Sequence, residues 1–312
     1  MHASHGSLRI GSRTSLMART MAEAVRQHIL AAAPSADPVV LAFASEGDKI
    51  KGSLQRHGGK GTFVKDLERR LLAGEIDCAV HSLKDIPGDL TPHPDLTLTS
   101  FFRRENPCDA LVLRAGVTEE DLKRGGRIGS SSPRRKAALQ RLYPNATVDL
   151  CRGNADGRVG KLDAGDFDAL ILAASGLERV GLEQRIARIY TPEDMLPAIG
   201  QGIVVLQARR ADVARCPYLQ QLSDAHAESA ARVERAMLFR LQGNCHSAIA
   251  GYCDFLRTGD LRMRGIVYHP ETGAPLEAER SAPPSSCLED LGIQVAEDLF
   301  AQGARGLIGL DP

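Results

Sequence analysis

The sequence predicts an α/β protein of more than one domain. Three observations carry that expectation. Short β-like runs alternate with amphipathic helical stretches over the first two thirds of the chain, the alternation restarts midway, and beyond about Asp224 the strands are grouped between two helices. At 312 residues the chain is also too long for one ordinary core.

Taken in order, Leu8–Arg13 reads as a strand, followed by a helix through Ile29 and a second strand over Val39–Ala44. A Gly- and Lys-rich loop, Glu46–Gly61, leads to a helix from about Phe63 to Leu72 and a third strand over Asp77–Ser82. This strand–helix–strand order predicts an open, mostly parallel sheet. The pattern begins again with β-like runs at Ala110–Leu113 and Arg127–Ser130. A helix follows Pro133, which suits a first helical turn. Thr147–Cys151 is a strand, Ala155–Leu162 a helix, and Ala169–Ala173 a further strand. Two such units in tandem predict a cleft between similar domains. Gly202–Arg209 is a buried strand expected to cross back to the first unit. Ala225–Leu241 then reads as a long amphipathic helix, Ile249–Cys253 and Leu261–Val267 as alternating segments, and Cys287–Ala301 as a closing helix. The expected division is residues 1–102 with 203–222, residues 103–202, and a smaller α+β domain over 223–312.

Composition excludes several classes. Acidic and basic side chains balance at 39 each, which argues against a general nucleic-acid binder. No apolar run is long enough to span a membrane, and Met1–Leu8 lacks the apolar middle of a signal peptide, so the expected location is the cytoplasm. The seven cysteines form no CxxC pair and fit reduced thiols, most of them small buried residues. The histidines are isolated, so no metal site is expected. The cations comprise 31 Arg and 8 Lys. Codon preference explains most of that ratio, but Arg is also the better fork for carboxylates, which makes its placement informative.

Chemistry-bearing residues gather at predicted strand ends, where open α/β sheets bind ligands. His81-Ser82-Leu83-Lys84-Asp85-Ile86-Pro87 follows the third strand and sets a cation beside a carboxylate. Ser130-Ser131-Ser132-Pro133-Arg134-Arg135 opens a helix, whose N–H groups and dipole favour an anion. Arg152 and Arg158 follow the next strand, and Ser175 and Arg179 the one after. One arginine at such a place is ordinary surface; five on one edge predict a ligand with several carboxylates. Arg13 and Ser15 occupy the equivalent end in the first domain. Gln201 and Gly202 close the turn Pro197–Gly202, whose glycines permit either a tight turn or close approach to a ligand. Cys245 follows Gly243-Asn244 at the end of the long helix, on a loop where a thiol can react.

Together and in this order, these segments resemble the porphobilinogen deaminase (hydroxymethylbilane synthase) family from Leu8 to about Leu307. Supporting stretches are Gly58–Glu68, Arg103–Val112, Arg152–Gly165 and Pro197–Gly202. The resemblance implies two periplasmic-binding-protein-like α/β domains around a cleft, plus a smaller α+β C-terminal domain. It implies a dipyrromethane cofactor, made from substrate and held by Cys245 through a thioether. Asp85 matches the family's catalytic carboxylate. Arg13, Ser15, Lys84, Ser131, Ser132, Arg134, Arg135, Arg152, Arg158, Arg179, Gln201 and Gly202 fall among its cofactor- and substrate-binding segments, and Lys60 and Phe63 match the edge of a mobile loop.

The implied reaction joins four porphobilinogen molecules head to tail with loss of ammonia and releases the linear tetrapyrrole by hydrolysis. A carboxylate beside the reacting ring can accept its pyrrole N–H and pass protons to the leaving amine. The family also implies a monomer that passes its product to a uroporphyrinogen-III-synthase-type enzyme. The chain departs from the family pattern at Asn244, Ala248, Pro133 and Leu16, and over Ser45–Asp48. These changes bear on the cofactor loop and the turnover rate and remove no charged or nucleophilic group. A divergent paralogue in a specialised pyrrole pathway and a non-catalytic binder of anionic small molecules use the same arginines. The binder leaves Asp85 and Cys245 without a purpose.

Overall fold

The computed structural model describes residues 7–44, 61–88, 93–216, 218–243 and 247–310. The chain falls into two compact units, Met1–Arg104 with Ile203–Glu228, and Glu105–Gly202 with Ser229–Pro312. In chain order the strands are β1 (Arg9–Arg13), β2 (Val39–Phe43), β3 (Cys78–Ser82), β4 (Leu96–Phe101), β5 (Asp109–Leu113), β6 (Arg127–Gly129), β7 (Thr147–Asp149), β8 (Ala169–Ala173), β9 (Ile186–Tyr190), β10 (Val204–Arg209), β11 (Ile249–Phe255), β12 (Leu261–Tyr268) and β13 (Pro275–Ala282).

The first unit is a five-stranded sheet in the order β2-β1-β3-β10-β4. Strand β1 runs parallel to β2 and β3, because helices Leu16–Ala32 and Gly61–Leu72 lie between these strands in the chain. β10 enters from late in the chain and lies antiparallel between β3 and β4. The expected mostly parallel sheet is therefore mixed. Alternation along β3 serves both faces. Cys78 and Val80 pack with Ile10, Val25, Ile29 and Leu206 in one core, and Ala79 packs with Leu67, Leu71, Ile76 and Leu96 in the other.

The second unit repeats that plan in the order β7-β6-β8-β5-β9. β6 is parallel to β7 and β8, whereas β5 is antiparallel to β8 and β9. In each sheet the antiparallel strand is thus the one that arrives directly from the other unit.

The remainder of the second unit is an antiparallel meander, β11-β12-β13. Helices Ala225–Arg240 and Leu288–Ala301 pack on it through Val233, Met237, Met263, Val295 and Leu299. Gly292 lets these two helices approach closely, since a Cβ there would collide with the Val233 carbonyl. A second core is shared by both sheets of this unit: Ala250 and Tyr268 of the meander join Leu111, Ile128, Leu139 and Tyr190. Among the described residues, no helix is long and apolar enough to cross a membrane.

Candidate functional site

In the first unit, parallel pairing of β1 with β3 brings their carboxyl ends to one edge. Arg13 ends β1, and the Ser15 hydroxyl caps the following helix by accepting from the Ala18 N–H at 3.4 Å. Beyond β3, Leu83–Asp85 forms a single 3-10 turn. Buried Leu83 and Ile86 flank it. The Leu83 N–H donates to the Ile203 carbonyl at 2.9 Å, and the Ile86 N–H returns to the Leu83 carbonyl. Lys84 and Asp85 are therefore half-buried on a turn pinned at both ends.

His81, one step inside that edge, is buried and meets the Gln207 side-chain oxygen at 3.1 Å; the Gln207 amide donates in turn to Glu68 at 2.8 Å. Burial pushes the His81 pKa down to about 4, outweighing the opposing pulls of Gln207 and Asp85. An unfolded histidine titrates near 6.5. Between these values the unfolded chain binds more protons, so stability falls as pH drops through this window. We expect a loss on the order of 3 kcal/mol from this group between pH 7 and pH 4. Urea midpoints measured against pH check it: His81→Gln, which cannot titrate, should flatten the slope, and an unchanged slope would refute the assignment.

In the second unit, β7, β6 and β8 are mutually parallel, so the segments after them leave one edge. After β6, the Ser132 hydroxyl accepts from the Arg135 N–H at 3.4 Å and Pro133 takes the first helical position, starting helix Pro133–Leu142. Ser131 is exposed and Ser132 half-buried. After β7, Gly153 adopts φ +122°; the Arg158 Nε donates to its carbonyl at 2.8 Å, and Lys161 donates to the Arg152 carbonyl at 2.9 Å. After β8, Arg179 pairs with Glu105 at 2.7 Å. Arg152, Arg158 and Arg179 are half-buried.

Arg134 and Arg135 lie deeper than a strand-end rim implies. Both are buried against Asp109, which is fully buried at the start of β5. The antiparallel register sets Asp109 opposite Ala173, at the end of β8. Arg135 donates to its Oδ1 from Nε at 3.0 Å and from Nη2 at 2.7 Å, while Arg134 Nη1 lies 2.7 Å from Oδ2 and donates to the Leu196 carbonyl. Burial works to raise the Asp109 pKa, but the two guanidiniums prevail and hold it below the usual carboxylate range. One carboxylate thus faces two buried guanidiniums. The surplus positive charge in this dry setting favours an anion.

Gln201 is also scaffolding in this structure. It is buried, and its amide donates to the Pro107 carbonyl at 2.7 Å and to Asp109 at 3.0 Å. Gly202 has φ +86°, and a Cβ there would lie 2.6 Å from the Glu105 carbonyl oxygen, so only glycine fits.

Sequence reasoning missed Asp109. Its signal was available: an acid opening the otherwise apolar strand Asp109-Ala110-Leu111-Val112-Leu113, where a buried charge needs a partner. Lys60 and Cys245 lie outside the described residues, as does the segment Ser45–Asp48. Phe63 is placed only by its backbone, in the first turn of helix Gly61–Leu72. Among the described cysteines, Cys78, Cys151 and Cys253 are buried, Cys108 and Cys216 are half-buried, and Cys287 is exposed.

Fold and donor set define a class: a mixed α/β protein whose strand edges carry guanidiniums suited to carboxylate ligands. Residues 8–215 match the family model described as porphobilinogen deaminase, dipyromethane cofactor binding domain, and residues 229–301 match that described as porphobilinogen deaminase, C-terminal domain. Porphobilinogen deaminase 2 of Streptomyces coelicolor is 40% identical over 304 residues, covering 96% of each chain. The chain belongs to the porphobilinogen deaminase family.

Solved structures with a partial likeness include two periplasmic proteins. The aliphatic sulphonate binding protein SsuA of Escherichia coli has a TM-score of 0.42 at 15% identity, covering 75% of this chain and 73% of that one. The BvgS VFT2 domain of Bordetella pertussis has a TM-score of 0.41 at 16% identity, covering 70% and 87%.

Proposed function

We propose that this chain is a hydroxymethylbilane synthase, a transferase that condenses four porphobilinogen molecules with loss of ammonia and releases the linear tetrapyrrole by hydrolysis. The observation that carries the reading is the surplus of buried guanidinium at Arg134 and Arg135, on the same strand edge that bears Arg152, Arg158 and Arg179. Porphobilinogen carries an acetate and a propionate, and each added unit brings two more carboxylates to be neutralised.

The donor set fits a dipyrromethane, whose side chains are carboxylates, and Cys245 is the residue that would hold it. When bound, that group supplies the free pyrrole α-carbon at which condensation begins. Arg13, Ser15, Lys84, Ser131, Ser132, Arg152, Arg158 and Arg179 bind carboxylates of cofactor and substrate. Arg134 and Arg135 contribute the buried positive field, and Gln201 and Gly202 shape the turn beneath it. Asp85 accepts a pyrrole N–H, faces the positive charge that develops as the amine departs, and holds the proton exchanged with that amine. Lys60 and Phe63 border the covering loop.

The working division is three domains: residues 1–102 with 203–222, residues 103–202, and residues 223–312. The enzyme works in the cytoplasm as a monomer, and its product goes to a uroporphyrinogen-III-synthase-type enzyme.

Intact-protein mass tests the reading. Purified protein should exceed its sequence mass by one dipyrromethane and convert porphobilinogen to a bilane, and Cys245→Ser should lose both the increment and the activity. Wild-type protein of sequence mass that consumes no porphobilinogen would overturn it.

A further inference from the structure

Glu234, in the Glu234-Arg235-Ala236-Met237-Leu238 stretch of helix Ala225–Arg240, is completely buried and lies at no strand end of the α/β sheets. Its Oε2 accepts the Gly200 N–H at 2.6 Å, and its Oε1 accepts the Cys253 N–H of β11 at 2.8 Å. The Gly251 N–H also reaches the Pro197 carbonyl at 3.0 Å, and Ile199 packs in the core with Met237 and Val233. The turn Pro197–Gly202 is therefore held from below by the helix and the meander. On its other side, Gln201 donates to Asp109, and the Leu196 carbonyl, one residue before the turn, accepts from Arg134.

The contacts form one continuous route: Glu234 to Gly200, through Gln201 to Asp109, and from Asp109 to Arg134 and Arg135. Gly200 has φ +71° and Gly202 φ +86°, so this turn keeps its shape only while external contacts hold it. A carboxylate suits the junction because both of its oxygens face N–H donors. An amide would satisfy one and set its own N–H against the other.

We propose that Glu234 is a positioning residue for the anion-binding guanidiniums. By fixing the Pro197–Gly202 turn, it aims the Gln201 amide that orients Asp109, and so sets Arg134 and Arg135 for the carboxylates of porphobilinogen and its oligomers. The proposal rests on the hydroxymethylbilane synthase reading. It ties the substrate-binding edge to the helix whose end leads, in sequence, to Cys245.

The test compares wild-type holoenzyme with Glu234→Gln, Gln201→Ala and the double variant, each measured for intact mass, urea midpoint, and kcat and KM for porphobilinogen. Glu234→Gln should keep the dipyrromethane increment and raise KM about 10-fold, with a smaller change in kcat, as for loss of a hydrogen bond that orients a charged group. Gln201→Ala should act in the same direction. The double variant should be little worse than the more severe single variant, because both act along one route. A purely structural role would lower the urea midpoint and leave KM unchanged, and that result overturns the proposal, as do effects that multiply independently. Should Glu234→Gln fail to fold, a wild-type KM in Gln201→Ala refutes the route by itself. Absence of cofactor and activity in the wild type would instead defeat the function reading.

Discussion

Replacing Asp85 with alanine lowers turnover by at least roughly 100-fold, the scale of a lost general acid–base group, while the protein still folds and still carries its cofactor. The structural reason for the second half lies in the turn. Leu83 and Ile86 anchor it through buried side chains and backbone hydrogen bonds, and Asp85 itself is only half-buried. Its loss therefore opens no core cavity. Its carboxylate is the one acidic group on the described turn after β3, beside Lys84. Removing it takes away the acceptor for pyrrole N–H and the proton carrier for the amine, and leaves the guanidiniums that bind carboxylates. The change should appear in kcat far more than in KM. Asp85→Asn keeps a hydrogen-bond acceptor but cannot hold the exchanged proton, so it should remain strongly impaired. Steady-state rates with porphobilinogen and the intact mass check both halves. Near-normal turnover in Asp85→Ala would remove this residue from the chemistry.

Replacing Asp109 with alanine destabilises the second unit by about 3–5 kcal/mol, the usual result of stripping one partner from a buried ion pair. The cost is the two guanidiniums left behind. Arg134 and Arg135 are buried in the first turn of a helix, where little of either side chain meets water. Combining Asp109→Ala with Arg135→Met should therefore recover part of the loss, because one fewer charge is left uncompensated. Urea unfolding of the single and double variants measures both effects, and a drop below about 1 kcal/mol would contradict the assignment.

The pH dependence separates Asp109 from His81. Asp109 has its folded pKa depressed, so its contribution is present above the ordinary carboxylate range and is lost only as pH falls well below it. His81 acts earlier, between about 6.5 and about 4. Acid sensitivity in mildly acidic buffer therefore belongs to the first unit, and the Asp109 cluster should survive it.

Much of the architecture was legible from periodicity. The Ala169–Ala173 strand was read with its observed ends, and the strands at β1, β3 and β10 were read within one or two residues. Three strands were missed. β13, Pro275–Ala282, is an edge strand with exposed polar positions, and β9, Ile186–Tyr190, alternates around the charged Arg188, so neither shows an apolar stripe. β4, Leu96–Phe101, alternates Leu with Thr and was legible, but it went unread after the Pro-rich stretch before it. The mixed direction of the first two sheets was not readable, because a β-like run looks the same whichever way it pairs. At the site, the strand-end arginines and Asp85 announced themselves by position and type. Asp109 did not, since a single acid among apolar residues names no partner, and the Glu234–Leu238 stretch stood out in the sequence without showing what Glu234 holds.

The chain by itself determined the order of strands and helices, the chemical groups at each strand end, and the family to which those groups point. These depend on neighbours along the backbone, which a sequence displays directly. Only the tertiary structure decided which guanidiniums are held by Asp109 and which by backbone carbonyls or Glu105, and that Glu234, on a helix well beyond the turn in the chain, supports the turn beneath them. Those outcomes follow from strand register and from the rule that a buried charge must meet its complement. Both are properties of segments brought together across the fold.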